Sequence, residues 1–339
     1  MLEHLEKLCS LYGISGNENS VRNYITDFLE GKCEYHTDNL GNITAFVKGR
    51  KSSSHKLMIA AHMDEVGLII THIAADGTLS FDTVGGINDD VIAGRQVMIY
   101  EKNIQGVVGS KAVHNMSDSE REAAVSVSSL YIDIGADSRE EAEKLVSVGD
   151  NAAFMSGFIN MGGGKICSKA VDDRAGCAVM LDLIEEGVEY DTYFVFTVQE
   201  EIGLRGAQAA AFGVSPDFAV VLETTTASDI AGVSGARRVC ELGKGPVVSY
   251  MDRRTVYDRE LYSLAFSLAE KNGIKCQTKT LVAGGNDAGA IHISKSGVRT
   301  VAVSAPCRYL HSPCCVAQYQ DLEMCEALVR LLITGINEL

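Results

Sequence analysis

Hydrophobic residues recur along the chain with two periods, and each period predicts one kind of element. Apolar residues spaced three or four apart indicate amphipathic helices, whereas β-branched and aromatic runs between turn residues indicate strands. The helical spacing predicts helices at 2–11, 17–30, 172–185, 206–212, 258–271, 288–293 and 319–338. Apolar runs predict strands at 56–61, 191–198, 218–222 and 298–304, with two more around the turn at 39–41. Helices that alternate with buried strands predict an α/β fold with a mixed, largely parallel sheet flanked by helices.

The middle of the chain has a different pattern. Short alternating runs separated by glycines predict strands at 66–73, 78–83, 96–100, 104–108, 130–134 and 151–159, with one helix at 138–146. This all-β pattern predicts a small β-domain at 67–160, inserted into an α/β domain that comprises 1–66 and 161–339. The glycines at 162–164 are interpreted as a hinge. The alternative is an antiparallel extension of the main sheet.

Composition limits the partners and the location of the protein. The sequence is 46% hydrophobic and 22% charged, and no apolar run reaches the roughly 18 residues that a membrane span needs. Its start lacks a signal-peptide core, so a cytoplasmic location is expected. The net charge of −15 argues against nucleic acid or a membrane surface as a partner, since both need a basic footprint. The ten cysteines form no C-x-x-C pair, so free thiols are expected.

Candidate chemistry begins where a predicted strand ends. Two adjacent carboxylates, Glu200 and Glu201, follow the strand at 191–198, and ligands of open α/β sheets bind at the carboxyl ends of strands. Neighbouring residues of an extended chain point in opposite directions, so one glutamate is expected to bind a ligand while the other faces a substrate. An isolated Glu-Glu pair is ordinarily a solvated turn, and only the accompanying motifs favour a site.

Other polar residues also lie at element ends. His62 and Asp64 are two residues apart after a strand and therefore face the same way, which suits a metal-bound imidazole whose second nitrogen is held by a carboxylate. Asp172 and Asp173 open a helix. Simple capping explains such a pair, although Asp172 could instead bridge two cations. The remaining candidates are Glu223, which ends a strand, and His311, which follows the last strand.

Together these residues form a set of two histidines and three carboxylates, with Asp64 and Glu200 behind them. Imidazole and carboxylate ligands fit a two-metal site, in which the ions lie on the order of 3.5–4 Å apart. The sequence contains no H-E-x-x-H motif, no G-x-S-x-G elbow and no phosphate-binding G-x-x-x-x-G-K-[ST] loop, so other common hydrolase mechanisms lack support.

Five motifs in order make the set specific. The sequence reads A-H-M-D-E-V-G at 61–67, D-D-R-A-G at 172–176, E-E-I-G-L-R-G-A at 200–207, G-G-N-D-A-G-A-I-H at 284–292 and Y-L-H-S-P at 309–313. Over essentially its whole length the chain resembles the cytosolic metallo-aminopeptidase family that includes the glutamyl aminopeptidases and the tetrahedral aminopeptidases.

The resemblance implies a role for each candidate and a form of assembly. Two divalent ions, zinc or cobalt, are expected, and Asp172 is expected to bridge them. The β-domain at 67–160 would resemble a PDZ-like module that mediates homo-oligomerisation, and relatives form tetrahedral dodecamers. By resemblance, the other ligands would be His62 and Glu223 on one ion and Glu201 and His311 on the second, with Glu200 as general base and Asp64 orienting His62.

Three departures from the family pattern are visible. The family more often has aspartate in place of Glu223 and threonine in place of Asn286. Its K-P-P-H loop reads K-A-V-H here, at 111–114. None of these changes removes an expected ligand, although Glu223 is one methylene longer than aspartate and can alter the metal spacing.

The expected reaction is release of N-terminal residues from short peptides. The alternatives are an amidohydrolase or deacylase of small N-acyl compounds on the same scaffold and, less favoured, a non-catalytic assembly protein. A preference for acidic first residues would need a cation in the pocket. The candidates, among which the sequence does not choose, are Arg205, Arg237, Arg238 and Arg253.

Overall fold

The described residues form seventeen strands and nine α-helices, joined by turns, loops and short 3-10 helices. The structure is a computed structural model that describes residues 1–339, apart from the side chains of residues 120 and 236. The strands are β1 Glu34–Thr37, β2 Ile43–Val47, β3 Leu57–His62, β4 Gly67–Ile73, β5 Leu79–Val84, β6 Gln96–Ile99, β7 Ile104–Ser110, β8 Leu130–Asp133, β9 Asn151–Phe154, β10 Ile159–Gly162, β11 Lys165–Ser168, β12 Thr192–Thr197, β13 Phe218–Thr226, β14 Val247–Val248, β15 Gln277–Thr278, β16 Arg299–Arg308 and β17 Cys315–Gln318. The helices are α1 Leu2–Ser10, α2 Asn19–Leu29, α3 Asp118–Glu122, α4 Arg139–Leu145, α5 Val171–Glu186, α6 Arg205–Val214, α7 Arg259–Lys271, α8 Ala288–Ile291 and α9 Tyr319–Asn337.

The large sheet has 11 strands and a parallel centre. Its order is β1-β2-β12-β3-β13-β16-β17-β11-β10, with β14 and β15 beside β16. Strands β12, β3, β13 and β16 run parallel to one another, and both flanks are antiparallel. The predicted mixed, largely parallel sheet with flanking helices is therefore confirmed.

Helices cover both faces of this sheet because its central strands are apolar on both sides. In β3, which is buried at every position, Leu57 and Ile59 pack into a core that also contains residues of α1, α5, α7 and α9. Met58 and Ala60 point to the opposite face, where they pack with residues of α6 and α8. The continuous hydrophobic run is thus the signature of a doubly covered parallel strand.

The β-rich middle of the chain forms a closed barrel of its own. Its strand order is β4-β5-β8-β7-β6-β9, and it has a separate core that includes Leu68, Leu79 and Ile132. It is a separate sheet rather than an extension of the large one. The boundary predicted at 160/161 falls inside β10, which pairs with β11 in the large sheet. The assignment of 67–160 as an inserted domain stays a prediction.

The hinge interpretation of residues 162–164 is wrong. All three glycines have positive φ angles; Gly162 is the last residue of β10, and Gly163 and Gly164 form the turn that leads to the antiparallel strand β11. Positive φ is open to glycine without steric cost, so a glycine run can mark a tight hairpin as well as a flexible joint.

Strands β13 and β16 extend beyond their predicted ends. They pair in parallel register from Phe218 opposite Arg299 to Thr226 opposite Cys307. Glu223 therefore lies inside β13 rather than at its end. Strand β3, the other neighbour of β13, ends at His62, so Glu223 nevertheless lies at the open carboxyl edge of that part of the sheet.

The structure also bears on two expectations from composition, the absence of a membrane span and the presence of free thiols. None of the helices among the described residues combines the length and apolar character that crossing a membrane requires. All ten cysteines are free thiols, and six of them are buried.

Candidate metal centre and active site

The candidate residues converge because the central parallel strands end at one edge of the sheet. Strand β3 ends at His62, and β12 is followed by Glu200 and Glu201. Strand β13 carries Glu223, and His311 lies in the loop after β16. Asp172 reaches the same edge from the start of α5, where its own backbone angles are not helical.

His62 faces two carboxylates. Its Nε2 atom lies 3.5 Å from Asp172 Oδ1 and 3.5 Å from Glu223 Oε1. His62 itself is almost completely buried. These three side chains form the first half of a cluster that also contains Glu201 and His311.

His311 faces the other half of the cluster. Its Nε2 atom lies 3.3 Å from Asp172 Oδ2 and 3.2 Å from Glu201 Oε2. The two oxygens of Asp172 thus point to two different imidazoles, one on each side. A carboxylate with this orientation is placed to bridge two cations.

The spacing fits metal coordination. Ligands arranged tetrahedrally around zinc at about 2.0–2.1 Å lie roughly 3.3–3.4 Å from one another, and the four separations in the cluster are 3.2–3.5 Å. Three of them exceed the usual hydrogen-bond range. Asp172 Oδ1 is buried without a hydrogen-bond partner, which is costly unless a cation satisfies it. The donor set therefore fits divalent metal.

Both histidines present Nε2 to the cluster because Nδ1 is engaged elsewhere. His62 Nδ1 lies 3.1 Å from the carbonyl oxygen of Asp64, and His311 Nδ1 lies 2.8 Å from that of Gly86. A carbonyl can only accept, so each Nδ1 donates, and each ring keeps its Nε2 lone pair for a ligand bond whenever Nε2 carries no proton. Gly86 follows β5, so the barrel contributes to the site.

The Asp64 carboxylate has different contacts from those expected. Its Oδ1 atom is 3.5 Å from His62 Nδ1, farther than the Asp64 carbonyl oxygen. Its shorter contacts are with the Ser15 hydroxyl, at 2.5 Å, and with the backbone N–H groups of Glu200 and Glu201, at 3.0 and 3.1 Å. Asp64 is fully buried and holds the turn that carries both glutamates.

The side chains of Glu200 and Glu201 do not point in opposite directions, as was expected for neighbouring residues of an extended chain. Strand β12 ends at Thr197, and Gln199 adopts a left-handed conformation with φ 55°. The chain then turns, and both glutamates line one cleft. The alternation rule fails here because it holds only while the backbone stays extended.

The cluster stabilises positive charge at both imidazoles. Burial opposes a charge on His311, but Asp172 and Glu201 raise its pKa to about 10. Burial likewise opposes a charge on His62, but Glu223, Asp172 and Asp64 hold its pKa well above the usual range. A site with this electrostatic character suits cations.

Burial raises the pKa values of the neighbouring glutamates. The pKa of Glu200 lies well above its usual range, chiefly because burial disfavours the charged form, with Glu223 adding to the effect. Burial, with Asp172 nearby, raises the pKa of Glu201 to about 7. Perturbed carboxyl groups in a cleft are typical of functional sites.

Asp173 has the contact of a helix cap, and His292 is bonded within its own segment. Asp173 Oδ1 accepts a hydrogen bond from the Gly176 N–H at 3.0 Å, as a cap does. Asp173 also lies with His62 and Glu223 in a group whose ligand atoms are within 4.8 Å of one another, so its position does not exclude metal contact. His292 Nδ1 lies 2.7 Å from the Ala288 carbonyl oxygen on its own helix.

The cluster opens into a cleft of about 290 Å³. Its lining includes two cations, Arg237 and Lys279, neither of which has a carboxylate partner within the described part of the chain. Arg205 instead lines a separate groove of about 760 Å³ beside α6 and α8, which contains none of the candidate ligands.

Several residues of the site were not predicted from the sequence. Ser15 donates to Asp64 Oδ2 at 2.5 Å, and Glu18 accepts from the Gln199 N–H at 3.2 Å. Gly86 supplies the carbonyl for His311. These residues act from distant segments, and no local period of the sequence signals such contacts.

An open α/β sheet whose strand ends bring imidazole and carboxylate groups together is typical of metal-dependent hydrolases. An aminopeptidase from the archaeon Desulfurococcus kamchatkensis has 36% sequence identity and a TM-score of 0.93, with 98% of this chain and 94% of that chain covered. The Pyrococcus horikoshii TET1 peptidase, which can assemble into a tetrahedron or a large octahedral shell, has 34% identity, a TM-score of 0.87 and 98% coverage of both chains. A lysyl aminopeptidase from Pyrococcus furiosus is 32% identical over 344 residues, which are 99% of this chain and 97% of that protein.

The chain belongs to the M42 glutamyl aminopeptidase family, whose profile matches residues 41–328. It is therefore an aminopeptidase, a hydrolase that acts on peptide bonds. Membership of this metallopeptidase family also implies that it uses divalent metal, and the histidine and carboxylate cluster is the candidate site.

Proposed function

We propose that the chain is a dinuclear-metal aminopeptidase in which Asp172 bridges two ions. The observation that carries this proposal is the orientation of the Asp172 carboxylate, whose oxygens lie 3.5 and 3.3 Å from the Nε2 atoms of His62 and His311. Glu223 completes the set on the first side and Glu201 on the second. Zinc or cobalt suits these nitrogen and oxygen donors.

Metal in this cluster would lower the pKa of a bound water and polarise the carbonyl group of the first peptide bond. The role proposed for Glu200 is proton transfer. Its carboxylate takes a proton from the attacking water and delivers it to the amine that leaves, and such transfer contributes about 10²–10⁴-fold to a rate. Asp64 holds the backbone of Glu200 through the 3.0 Å hydrogen bond.

The two cations of the cleft favour peptides with an acidic first residue. Arg237 is exposed, and the Lys279 ammonium group donates to the Ala283 carbonyl at 3.0 Å, which fixes its position. A carboxylate side chain of the substrate would satisfy both cations. In a panel of otherwise identical peptides, kcat/KM is expected to be highest for glutamate or aspartate in the first position.

The barrel is proposed to mediate homo-oligomerisation, which is the role that the family resemblance implies for a PDZ-like module at 67–160. The TET1 peptidase of Pyrococcus horikoshii, which aligns with 98% of this chain, can assemble into a tetrahedron or a large octahedral shell. A homo-oligomer, with a tetrahedral dodecamer as the specific expectation, is therefore proposed for this chain.

The test is hydrolysis of one short peptide in two forms, with a free amino terminus and with an N-acetylated one, after loading with zinc or cobalt. Cleavage of the free form alone supports the aminopeptidase proposal. Cleavage of the acetylated form alone would establish the deacylase alternative. Metal binding without cleavage of either form would favour a non-catalytic role.

A further inference from the structure

In the turn that carries Glu200 and Glu201, four consecutive backbone N–H groups, those of residues 198–201, are bonded by side chains. After β12 ends, consecutive backbone N–H groups no longer pair with a neighbouring strand, and a buried N–H without a partner costs about 1–3 kcal/mol. Each of them donates instead to a side-chain oxygen. The pairs are Val198 to Asn42 at 3.0 Å, Gln199 to Glu18 at 3.2 Å, Glu200 to Asp64 at 3.0 Å and Glu201 to Asp64 at 3.1 Å.

Two of these acceptors depend on residues 13–18, the N-terminal arm that links α1 to α2. Glu18 belongs to the arm and is itself an acceptor. Ser15 donates its hydroxyl proton to Asp64 Oδ2 at 2.5 Å, the same oxygen that accepts from the Glu201 N–H. Both side chains are buried, with 8% and 2% of Ser15 and Glu18 exposed. The arm precedes the matched region of the family, which begins at residue 41.

The arm is firmly anchored beside the cleft. The Glu65 N–H donates to the Gly13 carbonyl at 3.0 Å, and the Gly13 N–H donates to Glu65 Oε1 at 3.1 Å. The Glu65 carboxylate also accepts from the Lys169 ammonium group at 2.7 and 2.8 Å. A buried ion pair of this kind requires a defined geometry. Glu65 therefore holds the arm in place, and the arm in turn holds the side chains that bond to the turn.

We propose that Ser15 and Glu18 are positioning residues for the hydrolytic site, an inference that rests on the proposed function. Ser15 fixes the rotation of the Asp64 carboxylate, so that each oxygen meets one glutamate N–H. Glu18 Oε1 accepts from both Gly16, at 2.7 Å, and Gln199, at 3.2 Å. It thereby holds Gln199 in the left-handed conformation that turns the next two residues into the cleft.

The experiment compares full-length, metal-loaded variants. Ser15→Ala and Glu18→Ala remove the contacts, whereas Glu18→Gln keeps a carbonyl oxygen that can accept both bonds. Ser10→Ala is the matched control, because its exposed hydroxyl donates only to the Lys7 carbonyl at 2.6 Å. For each variant, kcat, KM, the unfolding temperature and the apparent zinc affinity, from competition with a chromophoric chelator, are measured.

The two alanine variants are expected to lose about 10–100-fold in kcat, with KM nearly unchanged, because residues that orient ligands have effects of this size. Zinc affinity is expected to fall with kcat, since Glu201 is a proposed ligand. Glu18→Gln is expected to stay within about tenfold of the wild type. The control is expected to match the wild type.

The proposal is overturned if Ser15→Ala and Glu18→Ala match Ser10→Ala in kcat and zinc affinity, even when their unfolding temperatures fall. It is also overturned if kcat and zinc affinity fall as far in Glu18→Gln as in Glu18→Ala, because a retained carbonyl acceptor would then have no effect. If Glu18→Ala does not fold, the kcat and zinc affinity of Ser15→Ala and Glu18→Gln test the proposal. A wild type that cleaves no peptide contradicts the proposed function instead, so the two failures are distinguishable.

Discussion

Among single residues, Glu200 is the proposed general base. It lines the cleft with His62 and Glu223, and burial raises the pKa of its carboxyl group well above the usual range. A carboxylate with a raised pKa holds a proton more strongly near neutral pH, which favours transfer from water. Its backbone N–H is fixed by Asp64, so the side chain starts from a defined position.

Replacing Glu200 tests this role. In Glu200→Gln, kcat is expected to fall by about 10²–10⁴-fold because the amide cannot accept the proton. Metal content is expected to stay the same, since Glu200 is not a proposed ligand. Steady-state kinetics and elemental analysis measure the two quantities. Glu270→Gln, a change at an exposed position of α7, is the control. A Glu200→Gln rate above about a tenth of the wild-type value would contradict the role.

The individual site residues were predictable to different degrees. His62, Asp172 and His311 were found because each lies at the end of an element where α/β sheets bind ligands, and the structure brings them together. Their roles as ligands stay proposals. Ser15 and Glu18 were missed, because their effect passes through backbone N–H groups of a segment that, for Glu18, is 181 residues away.

Among the elements, α7 shows how one side chain can both cap a helix and form an ion pair. The Asp258 side chain accepts from the N–H groups of Glu260 and Leu261 at the start of the helix. It also pairs with Arg299 Nε at 2.7 Å, at the first residue of β16. Arg299 holds the pKa of Asp258 below its usual range.

Stability at acid pH tests this contact. Because the folded pKa of Asp258 is lowered, its contribution is present above the unfolded pKa and is lost as pH falls through the folded pKa. Asp258→Asn keeps a cap but loses the ion pair, whereas Asp258→Ala loses both, and a lost cap costs about 1 kcal/mol.

Thermal unfolding across pH is the measurement. At neutral pH the wild type is expected to have the highest unfolding temperature and Asp258→Ala the lowest. Below the carboxyl range, the wild type and Asp258→Asn are expected to converge. The control is Asp27→Asn, at an exposed position of α2. A constant difference between wild type and Asp258→Asn at every pH would refute the ion-pair contribution.

Elements with strong periodicity were predicted well, and short ones were not. The long helices and the buried strands β3 and β12 were found because their apolar residues face a core. The two-residue strands β14 and β15 are too short to show a period. The hairpin at 162–164 was missed because three glycines indicate a turn and a hinge equally well.

At the scale of the whole molecule, the barrel and the large sheet meet at the site. The Gly86 carbonyl, which follows β5, lies 2.8 Å from His311 Nδ1. The Tyr100 hydroxyl, which follows β6, donates to the Asn17 carbonyl in the N-terminal arm at 3.2 Å. A small β-domain was predicted at 67–160 from the alternating pattern, whereas the closed barrel and its contribution to the site were not, because the contacts of a backbone carbonyl do not depend on the residue type.

Assembly is the prediction that belongs to the whole chain. Light scattering behind size-exclusion chromatography is expected to give the mass of a dodecamer, as the resemblance implies. The segment at 111–114 departs from the family loop, and Val113 within it is exposed. A mass near that of a dimer would show that assembly stops earlier in this protein and would contradict the dodecamer.

The number and position of bound ions test the central claim most directly. Zinc-saturated wild-type protein is dialysed, its zinc content per chain is measured, and anomalous diffraction then locates the ions. Two ions are expected, one on each side of Asp172, with His62 and Glu223 on the first and Glu201 and His311 on the second. His311→Ala is expected to retain only one. A single wild-type ion, or an ion held by Asp173 in place of Asp172, would contradict the dinuclear site.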